Sequence, residues 1–124
     1  GVLSPPIPHF NDMSFVCTPF ANFIAGISMM DAMFTVDSAG MHVAGCLGIP
    51  CLSIFGLTSG KHRASYYPTV KYIDAKADCA PCWNIMQRIP CENDHCLAFD
   101  SLDPDEIAMQ ILEVCRYGEK NCVG

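Results

Sequence analysis

Residues 34–56 read FTVDSAGMHVAGCLGIPCLSIFG, and this stretch decides the fold. Met33–Val36 is a short apolar run that stops at Asp37-Ser38. Ala39–Leu47 is built of small and apolar residues at helical spacing, and Gly48 and Pro50 stop it. Cys51–Phe55 is a second apolar run, closed by Gly56. Both runs are almost continuously apolar instead of alternating, as parallel strands covered on both faces require. Strand, helix, strand in this order predicts a βαβ unit with a right-handed crossover. In such open sheets ligands bind beyond the carboxyl ends of the strands, where Asp37-Ser38 stands.

The elements on either side extend the pattern. Residues 1–17 hold Pro5, Pro6 and Pro8 and read as an irregular lead-in. Thr18-Pro19 reads as a helix N-cap followed by a first-turn proline. Phe20, Phe23, Ile24 and Ile27 then predict a helix over 19–30 with one buried stripe. Residues 70–73 are a candidate third strand. Asp103-Pro104-Asp105-Glu106 has the form of a capping box, and Ile107, Ile111, Val114 and Cys115 carry an amphipathic helix that Gly118 is expected to end. Residues 78–96 are cysteine-rich without a clear period. The expected organisation is one α/β domain over 1–124: a partial Rossmann-like unit with a short parallel sheet flanked by helices, and an irregular cysteine-rich insertion inside it.

Bulk properties narrow the function. In the 124 residues 51% are hydrophobic and 16% charged, enough apolar surface for a core and too little charge for disorder. The net charge of −6 argues against a nucleic-acid or anionic-membrane partner, so any anionic ligand must be held by local groups. The longest apolar stretch, 41–57, is broken by Gly45, Gly48, Pro50 and Gly56, and no transmembrane segment is expected. No signal-peptide pattern is visible; a reducing, cytoplasmic location follows as the expectation. The nine cysteines are an odd number, so disulfides alone would leave a thiol over. Cys46 and Cys51 read as small core residues.

The candidate site follows from the sheet. Ala39 and Gly40 would open the helix after Asp37-Ser38, and free N–H groups there favour an anion. Ser38 can cap that helix or donate to a phosphate oxygen; Asp37 suits sugar hydroxyls or nearby N–H groups. The plainer alternative makes Ser38 a cap and Asp37 a strand terminator. His42, one turn in, is either a site residue or a hydrogen-bonded core histidine. After the second strand, Gly56, Thr58 and Ser59 form a glycine- and hydroxyl-rich loop. Lys61 and Arg63 follow it as cations able to neutralise a diphosphate, or as a solvated turn.

The insertion carries Cys79-x2-Cys82 and Cys91-x4-Cys96. Two such pairs can close a tetrahedral thiolate site for structural zinc or iron, with His95 able to replace Cys96. Disulfides and free thiols are the alternatives. Trp83 is expected to pack over this insertion, or to offer a platform for a sugar or base.

DSAGMHVAGCLGIPCLSIFG, followed by RASYYP and CAPCW, resembles the C-terminal part of family 9 glycosyltransferases, the heptosyltransferase family with the GT-B fold. The match runs through Asp37, Ser38, His42, Ala44, Leu47, Gly48, Pro50, Phe55 and Gly56. The resemblance implies a donor-binding domain for a nucleotide-sugar, typically ADP-heptose, acting on a lipopolysaccharide core or another glycan or lipid-linked acceptor. It implies that Ser38 and the backbone after it lie on the diphosphate and Asp37 near the sugar. It assigns no catalytic residue here, because the family's base lies on an N-terminal domain that this chain lacks. Transfer would need no metal at the donor site. Leu57 departs from the family's Gly-Pro-Thr. Relatives that modify autotransporters carry a comparable four-cysteine iron site. The chain alone is therefore expected to be incompetent for transfer. It would be completed by the missing domain or by self-association, and the complete enzyme would be cytoplasmic or membrane-peripheral. The competing expectation is a non-catalytic scaffold module that keeps the fold.

Overall fold

The computed structural model describes residues 19–83 and 91–121. Eight elements follow in order: α1 (Phe20–Ser28), β1 (Met33–Val36), α2 (Ala39–Leu47), β2 (Cys51–Phe55), α3 (Gly60–Arg63), β3 (Val70–Asp74), α4 (Leu97–Asp100) and α5 (Pro104–Asn121). The strands form one sheet in the order β1-β2-β3, all parallel. Register sets Met33 beside Cys51 and Val36 beside Ile54, then Cys51 beside Val70 and Phe55 beside Asp74. All carboxyl ends thus meet at one edge.

Side chains alternate across a strand, so each strand feeds two layers. One layer joins Cys51, Phe55 and Val70 to Ile27, Met41, Ala44 and Ala64 from the α1, α2 and α3 side. The other joins Leu52 and Ile73 to Val114, with Ile107 and Ile111 of α5 packed against them. β2 is covered on both faces, which is why its sequence is apolar throughout. Phe55 and Leu52 are each 1% exposed; burying such a side chain contributes about 1.5–3 kcal/mol.

α2 ends as its sequence predicts. Gly48 takes the left-handed conformation (φ 74°), and the Ile49 N–H returns to the Ala44 carbonyl at 2.9 Å. α1 starts one residue later than expected, because Pro19 is itself the N-cap, and ends two earlier, at Ser28; Ile27 is buried, but Phe20 of the expected stripe is exposed, and Thr18 and the lead-in lie outside the described residues. The third strand exists and reaches Asp74. At the head of α5, Asp103 Oδ1 accepts the Asp105 N–H at 2.9 Å, whereas Glu106 turns to Lys76 at 2.9 Å, so half of the expected capping box forms.

Two further expectations need correction. Gly118 does not end α5, which continues to Asn121. A side chain there would collide with the Asp31 carbonyl oxygen, so the glycine is a notch that lets α5 lie against the segment before β1. Cys46 is exposed, whereas Cys51 is fully buried. The last turn of α2 faces outward at position 46, and burial pushes the Cys51 thiol up to about 11.

Candidate functional site at the carboxyl edge of the sheet

The three strands deliver their ends to one edge, and the connections after them build the site. Asp37 follows β1, and its Oδ2 accepts the Thr58 hydroxyl at 2.5 Å. Arg63 Nε stands 4.0 Å from the same oxygen. Thr58 lies in the loop after β2 and Arg63 at the end of α3, so the parallel register brings together groups more than twenty residues apart. A one-turn helix, α3, starts at Gly60 where the sequence reading has only a loop.

A cavity of about 370 Å³ opens beside this cluster. Asp37, Thr58 and Arg63 supply its polar lining. Val36 and Ile54 from the strands, Leu57 from the loop, Trp83, and Phe99 and Leu102 from the α4 region make the rest mainly apolar. Its size lies in the range of small-molecule pockets, and an apolar lining with a few convergent polar groups is their usual character. The Trp83 N–H donates to the Leu57 carbonyl at 2.7 Å, which ties the start of the cysteine-rich segment to the loop after β2.

The remaining predicted residues are distributed differently. Ser38 is the N-cap of α2, yet its side chain makes no capping bond; its Oγ lies 3.0 Å from Thr35 Oγ1 on β1. Gly40 is buried, and the space a Cβ would take is filled by the Met33 methyl, with the Phe23 ring close by. Close approach at Gly40 thus serves helix–strand packing. Ala39 is exposed and lies outside the cavity lining. His42 Nδ1 is 3.0 Å from the Tyr67 hydroxyl, and the rings meet edge-on. Burial raises the Tyr67 phenol above its ordinary value, and the neighbouring Cys46 acts in the same direction. Gly56 lines the main cavity; Ser59 lines a smaller one of about 60 Å³ with Asp74 and Pro81. Lys61 is exposed on α3 and is not part of the lining.

No disulfide joins Cys79, Cys82, Cys91 or Cys96 among the described residues, and of these four Cys96 reaches the cavity lining. Among the described residues no three His, Cys, Asp or Glu side chains are grouped so as to hold a metal ion. His95 pairs with Asp100, Nε2 to Oδ2 at 3.2 Å.

Sequence reasoning missed Asp74, Phe99 and Leu102, and gave the lesser weight to Trp83 as a site residue. Asp74 had a signal: like Asp37, it is a carboxylate at the carboxyl end of a predicted parallel strand. Phe99 and Leu102 had none, because α4 reaches the cleft only through the tertiary fold.

A three-stranded parallel sheet between helices, with a ligand-sized cleft at its carboxyl edge, defines the class: a parallel α/β domain. The model of glycosyltransferase family 9 (heptosyltransferase) matches residues 17–92, more than half of the chain, so this chain belongs to that family. No curated protein and no solved structure matches it. Among the described residues no helix is long and apolar enough to cross a membrane.

Proposed function

We propose that this chain is the donor-binding portion of a sugar transferase, with the cleft at Asp37, Thr58 and Arg63 receiving a nucleotide-sugar. The observation that carries the reading is that the polar cluster of the cleft, Asp37, Thr58 and Arg63, falls inside the family's matched segment. Asp37 is a carboxylate able to accept sugar or ribose hydroxyls. Arg63 is a cation for a diphosphate, standing at the cleft 4.0 Å from Asp37. Trp83 and Phe99 offer flat apolar surface to a base or sugar ring.

In the complete enzyme the reaction is direct displacement at the anomeric carbon. The acceptor oxygen forms the new bond as the glycosidic bond to the diphosphate breaks, and the bonding electrons leave with the nucleotide. Arg63 would then stabilise the charge that grows on the departing diphosphate. In this reading the base that takes the acceptor's proton lies on the family's N-terminal domain and not among the cleft residues, so those residues hold the donor without completing transfer. We take ADP-heptose as donor and a lipopolysaccharide core as acceptor, a choice that membership of a heptosyltransferase family supports. The cysteine spacing supports a structural zinc or iron site at Cys79, Cys82, Cys91 and Cys96, and no step of the transfer depends on it; metal analysis of purified protein before and after chelation tests this.

Calorimetry with ADP, UDP and ADP-sugars tests the main reading. Saturable ADP binding that Arg63→Ala weakens supports it, and no heat with any nucleotide overturns it. A second reading, a scaffold module without nucleotide chemistry, draws on β1: this edge strand pairs on one side among the described residues, and Phe34 and Val36 are exposed on it. That reading expects no nucleotide binding and intact self-association.

A further inference from the structure

The loop after the central strand is gripped by a carboxylate from each neighbouring strand. Asp37, after β1, accepts the Thr58 hydroxyl; Asp74, the last residue of β3, accepts the Gly60 backbone N–H at 2.6 Å. Gly60 is buried, and the Tyr72 ring occupies the space a Cβ would need, with the Phe55 ring close by. The start of α3 is therefore fixed from the β3 side by a charge-assisted hydrogen bond and an aromatic ring. From that fixed start α3 carries Arg63 to Asp37, and in the same loop Leu57 receives the Trp83 N–H. Asp74 itself lines the smaller neighbouring cavity and does not line the main cleft.

We infer that Asp74 is a positioning residue for the cleft: by holding the Gly60 N–H it sets residues 56–63 so that Thr58 and Arg63 stand against Asp37. The first N–H of α3 is already occupied by a carboxylate, so the Gly60 amide is not open to an incoming anion. Without the Asp74 bond the loop samples other positions, and apparent affinity falls in proportion to the fraction that remains competent. The ligand in this inference rests on the donor-site reading; the positioning of the loop does not.

Two measurements on the full chain keep the ideas apart. Trp83 is the only tryptophan in the chain and lines the cleft, so its fluorescence reports ADP binding directly. Amide exchange of peptides spanning 56–63 reports the loop without ligand, with 51–55 as the core control. Asp74→Ala should raise the ADP dissociation constant about tenfold and speed exchange in 56–63, leaving 51–55 unchanged. Asp74→Asn keeps an accepting oxygen and should stay within about threefold of wild type. Unchanged exchange in 56–63 of Asp74→Ala overturns the inference, as does unchanged ADP affinity. A wild-type chain that binds no ADP removes the donor reading, and the exchange comparison then decides the positioning claim alone.

Discussion

Arg63 and Asp37 face one another at a distance where their attraction is modest and the guanidinium stays available to a stronger anion. Replacing Arg63 by Ala should weaken ADP binding by about tenfold, roughly 1.4 kcal/mol, while leaving the melting temperature nearly unchanged. Titration calorimetry and thermal unfolding on the same samples check both halves. Ser53 presents the opposite situation. Its hydroxyl is fully buried on β2 with no hydrogen-bond partner among the described residues. Ser53→Ala should hold or raise stability, by up to about 1 kcal/mol; a loss of that size in urea unfolding would mean the hydroxyl is bonded in solution. Cys51 is neutral in the fold, and burial lifts its thiol from 9.0 to about 11. The unfolded chain then releases its proton first as pH rises, so stability should decline from about pH 9 towards 11. Cys51→Ala should flatten that decline, and in native protein at neutral pH a thiol reagent should modify Cys46 but not Cys51.

Helices show why local rules need their surroundings. Exchanging a mid-helix glycine for alanine ordinarily stabilises by about 1 kcal/mol. Gly118 should reverse that sign, because the added methyl meets the Asp31 carbonyl oxygen. Gly118→Ala is expected to destabilise by about 1–3 kcal/mol in denaturant unfolding, as overpacking does. The reason the sequence points to a stop at Gly118 is equally physical: glycine after an apolar stripe is the usual helix terminator, and the neighbour that demands it here is almost ninety residues away. Ser38 shows the same dependence. Its position at the head of α2 was legible, but the choice of its side chain for Thr35 over the helix N–H groups depends on the packing of β1 against α2.

For the molecule as a whole, the sheet leaves β1 unpaired on one side among the described residues, with Phe34 48% and Val36 54% exposed. An apolar parallel edge of this kind tends to be covered. The isolated chain should therefore self-associate as concentration rises, and the pair Phe34→Lys, Val36→Lys should shift it towards monomer in sedimentation velocity. A wild-type chain that stays monomeric at high concentration would remove the edge as an interaction surface.

Periodicity and punctuation alone placed β1, α2 and β2 residue for residue. In that stretch apolar runs, Gly48 and Pro50 act within a few positions of one another, and backbone preference and burial agree. The same local order supplied Asp37, Thr58 and Arg63 as candidates, since strand ends in a parallel sheet share one edge. What the tertiary structure alone decided is which of them meet. Asp37, Thr58 and Arg63 converge because the register aligns three strand ends, while His42 is drawn to Tyr67 and Gly40 is filled by Met33. Phe99, Leu102 and Trp83 enter the cleft through contacts between segments distant in sequence, and such contacts leave no periodic trace in the chain.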